Sequence, residues 1–257
     1  MLKVMSVFGT RPEAIKMCPL VKELEKNSDI ENLVCLTGQH REMLKQVMDI
    51  FGIEARYNLD IMRPNQTLTE ITSLVLSGME NVIAREKPDI VLVHGDTSTS
   101  FAAALAAFYQ KIPVGHVEAG LRTYDAYSPF PEEMNRCLTG RIAALHFAPT
   151  EKNRLNLARE NITDNVFVTG NTVIDAFQTT IKKYYEFKDK SLRCINFTGK
   201  RIILMTAHRR ENLGEPLAGI CTAIRRIVED YRDIEVIYPV HLNPAVQNPV
   251  LQILGNT

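Results

Sequence analysis

Residues 90–96, IVLVHGD, and residues 112–118, IPVGHVE, are two short apolar runs that each end in an acidic residue. Their composition predicts buried parallel strands, and open α/β sheets place functional groups in the loops that follow such strands. A third acid, Glu132, follows in the segment SPFPEEMNR. We therefore expect the carboxylates of Asp96, Glu118 and Glu132 to converge on one crevice. There they would transfer protons or control a charged intermediate.

Strand and helix patterns alternate along the first part of the chain. Apolar β-branched runs are separated by longer segments that carry apolar residues at helical spacing. This alternation predicts a parallel sheet covered by helices on both faces, which is a doubly wound α/β domain over residues 1–170. Its predicted strands are KVMSVFG, NLVCLTG, IVLVHG, IPVGHV, ALHFAPT and VFVTGN.

The pattern restarts near the end of the chain. A helical stretch and a polar linker over residues 171–200 lead to a second unit over residues 201–257. There RIILMTA and IEVIYPVH are predicted strands on either side of the helix LAGICTAIRRIVEDY. Two strands make a poor independent core, because parallel sheets need covered faces and neighbouring strands. Either this unit packs heavily on the first domain or the chain is a fragment of a longer protein. We favour the fragment, with an incomplete second Rossmann-like domain.

The composition predicts an ordinary globular protein. The chain has 257 residues, of which 45% are hydrophobic and 23% are charged, and its formal net charge is zero. Zero net charge argues against broad binding of nucleic acid or an anionic membrane. The five cysteines lack metal-site spacing, the N-terminus lacks a signal-peptide pattern, and no apolar run has transmembrane length. We expect a cytoplasmic protein.

The first strand continues into GTRPEAIK, residues 9–16. Gly9 permits a tight turn, and Pro12 suits the first turn of a helix. Free N–H groups at a helix N-terminus attract phosphate, and Arg11 and Lys16 add positive charge. An anion site is therefore predicted, although the segment matches neither a dinucleotide-binding nor a P-loop motif. The alternative is an ordinary strand–turn–helix with a solvated arginine.

Structural roles compete with catalysis at several of these positions. Asp96 or Thr97 could cap the following helix, and one of Glu132 and Glu133 could serve only the helix dipole. Glu118 could simply pair with an arginine four residues later. Further competing cases are His94 and His116, which are more simply core histidines, and Gln39 and His40, which either cap a helix or contact a sugar.

The second unit has a basic strand exit. The predicted strand RIILMTA continues into His208, Arg209 and Arg210, and His241 occupies the equivalent end of the next strand. Two arginines and a histidine at the end of a strand suit a diphosphate group, because guanidinium groups bind phosphate oxygens in pairs. The alternative is an exposed basic turn.

Taken together, the motifs resemble the non-hydrolysing UDP-N-acetylglucosamine 2-epimerases of bacteria. The resemblance implies two Rossmann-like domains of the GT-B type, with the active site in a cleft between them and the second domain incomplete here. It also implies homodimers without metal or nicotinamide. The matching segments are GTRPEAIK, TGQHREML, VHGDT, GHVEAGLRT, SPFPEEMNR, VTGNTVID, AHRREN and YPVHLNP.

The reaction implied by the resemblance converts UDP-N-acetylglucosamine (UDP-GlcNAc) reversibly to UDP-N-acetylmannosamine (UDP-ManNAc) for surface polysaccharide or teichoic acid synthesis. It proceeds by elimination of UDP to a 2-acetamidoglucal and re-addition. UDP-GlcNAc would also act as an allosteric activator. The alternatives are a GT-B glycosyltransferase and a truncated, inactive or nucleotide-sugar-binding remnant.

The resemblance also assigns roles to individual residues. Positions 42 and 65 are Glu and Asn here, where relatives carry Gln and Arg among the activator contacts, so the strength of activation is open. The implied catalytic residues are Asp96, Glu118, Glu132 and His208. The candidate substrate-binding residues are Arg11, Lys16, Arg136 and Arg209, and those implied near the activator are Gln39, Glu132, Arg209 and His241.

Overall fold

The computed structural model describes residues 1–38, 41–63, 65–208 and 212–255, with the backbone alone at 41–43. The chain forms two compact units, Met1–Lys183 and Tyr184–Thr257, and each is considered by itself. The first unit extends past the predicted boundary at residue 170, because the next helix packs on it. No helix among the described residues is long and apolar enough to cross a membrane.

The first unit alternates strands with helices, as the sequence pattern predicts. The helix expected at Glu132 and Glu133 begins at Glu132, with both acids in its first turn. In chain order the elements are β1 (Leu2–Phe8), α1 (Arg11–Leu24), β2 (Ile30–Leu36), α2 (Arg41–Phe51), β3 (Tyr57–Asn58), α3 (Leu68–Glu86), β4 (Ile90–His94), α4 (Ser98–Tyr109), β5 (Val114–Val117), α5 (Glu132–Ile142), β6 (Leu145–Ala148), α6 (Glu151–Arg159), β7 (Val166–Val168) and α7 (Val173–Thr180).

The strands of this unit form one parallel sheet of seven strands in the order β3-β2-β1-β4-β5-β6-β7. The chain therefore builds outward in one direction from β1 to β3 and in the other from β4 to β7. Such a reversal leaves a crevice beyond the carboxyl ends of β1 and β4, because the following helices cover opposite faces of the sheet. The predicted α/β fold class is confirmed.

Alternate residues of each strand enter different cores, because successive side chains of a strand point to opposite faces. Met5 and Val7 of β1 pack with α3 and α4, whereas Val4 and Phe8 pack with α1 and α2. The second core also contains Ala176 of α7. The central strands of the sheet are thus buried on both faces.

The second unit is a short β–α–β arrangement with one helix before it and one after it. Strands β8 and β9 pair in parallel, and α9 lies between them in sequence. A small apolar cluster joins α9 to α10 through Leu217, Cys221, Val246 and Val250. The elements are α8 (Lys190–Arg193), β8 (Arg201–Leu204), α9 (Glu215–Asp230), β9 (Ile234–Ile237) and α10 (Pro244–Leu254).

We expect Gly120→Ala to destabilise the first unit by about 3 kcal/mol. Gly120 follows β5 with a φ of +85°, and an added Cβ would overlap the carbonyl oxygen of Asn153. The matched control is Gly52→Ala, at a φ of +60° with open space around the added atom. That change should cost only about 1 kcal/mol, from the backbone conformation alone. Urea unfolding measures both values, and equal losses would contradict the packing argument.

Candidate active site

A pocket of about 380 Å³ lies at the carboxyl ends of β1, β4 and β5. This is the crevice created by the reversal of strand order, where open α/β sheets bind ligands. The pocket is lined by all three predicted acids, Asp96, Glu118 and Glu132, together with Lys16. Three loops that are distant in sequence therefore bring the predicted carboxylates to one place.

Glu118 is the most heavily bonded of the three acids. It follows β5 with a φ of +64°, a left-handed conformation that is uncommon for a residue with a side chain. Its Oε1 accepts hydrogen bonds from Lys16 Nζ at 2.5 Å and from Asn171 Nδ2 at 2.9 Å. His94 Nε2 lies 3.3 Å from Oε2 without the alignment of a hydrogen bond. These contacts fix the carboxylate toward the pocket.

Asp96 lies in a different electrostatic environment. Its Oδ2 is 2.7 Å from Arg136 Nη2, and its backbone carbonyl accepts a hydrogen bond from Asn135 at 2.9 Å. The sequence left open whether Asp96 or Thr97 caps the following helix. Thr97 is the cap, because its hydroxyl accepts a hydrogen bond from the backbone N–H of Ser100. The Asp96 carboxylate is therefore left to face the pocket.

The two carboxyl groups have opposite pKa shifts. Burial raises the pKa of Glu118, but His94, Lys16 and Asn171 outweigh it, so this pKa lies below its ordinary value. Burial also raises the pKa of Asp96, and here the net shift is upward because the neighbouring carboxylates add to it, with Arg136 opposing. Two neighbouring carboxyl groups whose pKa values are shifted in opposite directions are typical of sites of acid–base catalysis.

The structure distinguishes Glu132 from Glu133, which the spacing left open. Both oxygens of Glu133 accept backbone N–H groups, at 3.0 Å from Thr123 and at 2.9 Å from Tyr124. Glu133 thus fixes the loop before α5. Glu132 instead lines the pocket, and its buried Oε2 has no hydrogen-bond partner in the described part of the chain. A buried oxygen of this kind is available for a ligand or a proton.

The start of α1 differs from the predicted anion site. Glu13 accepts the N–H groups of Gly9 at 3.0 Å and Thr10 at 2.7 Å, so these donors are occupied by a carboxylate of the chain itself. Its other oxygen accepts the hydroxyls of Thr97 and Ser100, each at 2.7 Å. Lys16 pairs with Glu118 as described above. Arg11, the remaining cation of the segment, is exposed at the first position of α1.

The structure replaces the Glu118–Arg122 contact considered from the sequence and gives distinct positions to His116 and His94. Arg122 does not pair with Glu118; it forms a bidentate pair with Glu160 at 2.6 and 2.9 Å, and its side chain is fully buried. His116 is a core histidine as expected, and its Nε2 donates to the carbonyl of Gly95 at 2.7 Å. His94 is buried as well, but it also lines the pocket beside Glu118.

Sequence reasoning missed Glu13, Asn171 and the position of His94 against Glu118. A signal existed for Glu13, because Thr10 and Glu13 have the spacing of a capping box, in which the acid bonds back to the helix start. Asn171 follows Gly170 at the end of β7, so its place beyond a strand was a signal too. Its hydrogen-bond partner Glu118 lies 53 residues away in the sequence, so local spacing could not predict the contact.

In the second unit the structure brings together His208 and His241, which the sequence placed after successive strands. Their rings stack with centroids 5.3 Å apart and planes 12° from parallel. Gln39 and Arg209 lie outside the described residues, as do His40 and Arg210. Across the parts that the structure describes, no group of three or more histidine, cysteine, aspartate or glutamate residues could hold a metal ion.

Comparison with known proteins identifies the family. The family model described as UDP-N-acetylglucosamine 2-epimerase matches residues 22–257. The UDP-N-acetylglucosamine 2-epimerase of Bacillus subtilis is 55% identical over 258 residues, which cover 100% of this chain and 67% of the relative. That of Escherichia coli K12 is 54% identical over 262 residues, covering 99% of this chain and 69% of the relative.

Solved structures agree with the sequence relatives. The chain matches the UDP-GlcNAc 2-epimerase of Neisseria meningitidis bound to UDP-GlcNAc with a TM-score of 0.87 and 51% identity. The match covers 99% of this chain and 70% of that one, so the present chain spans about two thirds of the length of its relatives.

The sheet order and the pocket define an α/β enzyme domain of Rossmann-like type, with ionisable groups gathered at the point where the strand order reverses. The chain belongs to the UDP-N-acetylglucosamine 2-epimerase family, whose members are isomerases. This confirms the family predicted from the motifs. The roles predicted for individual residues stay predictions.

We expect His116→Gln to reduce the sensitivity of the fold to acid. Burial lowers the pKa of His116 from 6.5 to about 3. Between these values the unfolded chain binds a proton that the native state does not, so stability is lost as the pH falls. The substitution removes that term while keeping an N–H group for the Gly95 carbonyl. The slope of unfolding free energy against pH should decrease by about 1.4 kcal/mol per pH unit.

Urea unfolding at about pH 4, 5 and 6 measures this slope. Parallel curves for His116→Gln and the parent would show that His116 is not the buried neutral group described here.

Proposed function

We propose that the protein interconverts UDP-GlcNAc and UDP-ManNAc by inverting C2 of the sugar. The observation that carries this proposal is the convergence of Asp96, Glu118 and Glu132 on one pocket at the switch in strand order. Family membership supports the substrate, since the relative from Neisseria meningitidis is described as bound to UDP-GlcNAc.

The chemistry explains why such a site needs several carboxylates. The C2 proton of the sugar is not acidic, so its direct removal is difficult. In the proposed elimination, the C1–O bond breaks with its electron pair leaving on UDP, and a base removes the C2 proton. The products are UDP and 2-acetamidoglucal. Re-addition returns a proton to the opposite face of C2 and rejoins UDP oxygen to C1.

The environments of the three carboxylates suggest a different chemical role for each. Glu118 is surrounded by donors and remains ionised, so its negative charge would stabilise positive charge developing at C1. The pKa of Asp96 is raised by burial and the neighbouring carboxylates, so Asp96 binds a proton more readily than an ordinary aspartate, which suits a group that exchanges protons. The buried Oε2 of Glu132 has no hydrogen-bond partner among the described residues, so it could accept the C2 proton when the reaction runs in one of its two directions.

The remaining functional predictions follow from the family and accompany this proposal. They are catalysis and nucleotide binding by His208, substrate binding by Arg11, Lys16, Arg136 and Arg209, and a cytoplasmic homodimer that supplies surface polysaccharide or teichoic acid synthesis. UDP-GlcNAc would also bind as an activator near Gln39, Glu132, Arg209 and His241. The stacked histidines of the second unit support a shared role for His208 and His241.

The proposal is tested by incubating protein from the complete coding sequence with UDP-GlcNAc in heavy water. We expect UDP-ManNAc to form with deuterium at C2, because the lost proton is replaced from solvent. Nuclear magnetic resonance of the sugar protons measures both. Absence of UDP-ManNAc, or product that retains the original C2 proton, would contradict the mechanism. Release of UDP only when a sugar acceptor is added would indicate a glycosyltransferase instead.

We expect Glu132→Gln to lower kcat by at least about 100-fold, because the amide cannot accept a proton. Glu151→Gln is the matched control, since Glu132 and Glu151 are each the first residue of a helix. Both changes remove a negative charge from a helix N-terminus, so loss of the dipole interaction is common to the two variants. Steady-state kinetics should show normal turnover for the control. Equal kcat values for the two variants would remove Glu132 from catalysis.

A further inference from the structure

We infer that Asn171 is a positioning residue that orients the Glu118 carboxylate in the pocket through its side-chain amide. The inference rests on the proposed function, since it concerns how an acid of that site is held. Asn171 belongs to the VTGNTVID segment, which carried the family resemblance but had no assigned role.

The orientation of the Asn171 amide follows from its two partners. Its Oδ1 accepts the backbone N–H of Val173 at 3.1 Å, and a backbone N–H can only donate. The Nδ2 group is therefore the end that faces Glu118, where it donates to Oε1 at 2.9 Å. Both ends of the amide are bonded, so the side chain is fixed between the start of α7 and the pocket.

Asn171 and Lys16 approach the same oxygen of Glu118 from two packed helices. Lys16 lies on α1, whereas Asn171 lies just before α7. The two helices contact each other, and Ala176 of α7 is buried in the core that contains Ala14 and Met17 of α1. The lysine side chain is long and adaptable, while the asparagine has only two side-chain torsions. Asn171 therefore sets the direction of the carboxylate more strictly than Lys16 does.

The backbone conformation of Glu118 explains why this contact is needed. A φ of +64° is unfavourable for a residue with a side chain, by about 1 to 3 kcal/mol, and persists only where surrounding contacts enforce it. It directs Glu118 out of the sheet at the end of β5. The hydrogen bond from Asn171 and the ion pair with Lys16 are contacts of the required kind.

The decisive substitution is Asn171→Asp. Aspartate still accepts the Val173 N–H, so the start of α7 is preserved, but it replaces the donor with a negative charge beside Glu118. Two adjacent carboxylates hold a proton more tightly than one. We expect the acidic limb of the pH profile of kcat/KM to move upward by about one pH unit or more. We also expect kcat to fall at least about tenfold at neutral pH, with KM changed less than about threefold.

Two further variants separate positioning from helix capping. Asn171→Ser keeps an acceptor for the N–H of Val173 but is too short to reach Glu118, so it should lower kcat with a smaller shift of the acidic limb. Asn165→Asp adds the same charge at the opposite end of β7 and should leave the pH profile unchanged. Circular dichroism and thermal unfolding confirm that each variant is folded.

The possible results are distinct. A parent protein that forms no UDP-ManNAc overturns the proposed function, whatever the variants do. With an active parent, the inference about Asn171 is overturned if Asn171→Asp, or Asn171→Ser where the former does not fold, keeps the parental pH profile and kcat. A shift of equal size in Asn165→Asp overturns it too, because general charge rather than contact with Glu118 would then be responsible.

Discussion

The carboxylate of Glu13 joins the two turns between which the pocket opens. One oxygen binds the N–H groups of Gly9 and Thr10 after β1, and the other binds hydroxyl groups of Thr97 and Ser100 after β4. A buried charge needs such complete bonding to be tolerated. Strands β1 and β4 pair in parallel, and Glu13 extends the connection between them to the two turns that follow these strands.

The pocket between these two turns places its acids in different electrostatic environments. Lys16 and the amide of Asn171 bond to Glu118, while Asp96 has Arg136 on one side and the other acids nearby. The pKa of Glu118 is therefore lowered and that of Asp96 raised. The proposed epimerisation requires this division, because one step needs a fixed negative charge and another needs a group that exchanges protons.

Local patterns were sufficient to predict most of the fold. Continuous apolar strands and helical spacing predicted the parallel sheet, and the strand ends predicted where Asp96 and Glu118 would lie. The partners of these residues were not predictable, because they depend on contacts between distant segments. Arg122 pairs with Glu160, 38 residues later, and Glu118 bonds to a residue 53 positions away. Strand β3 is only two residues long and left no period to detect.

The central claim is that this pocket lowers the pKa of Glu118 and raises the pKa of Asp96, each relative to its ordinary value. Carbon-13 nuclear magnetic resonance of labelled aspartate and glutamate carboxyl groups, titrated with acid, measures both pKa values directly. Spectra of Asp96→Asn and Glu118→Gln would assign the two signals. The account predicts that Glu118 titrates below its ordinary value and Asp96 above its own. The reverse order, or two ordinary values, would contradict it.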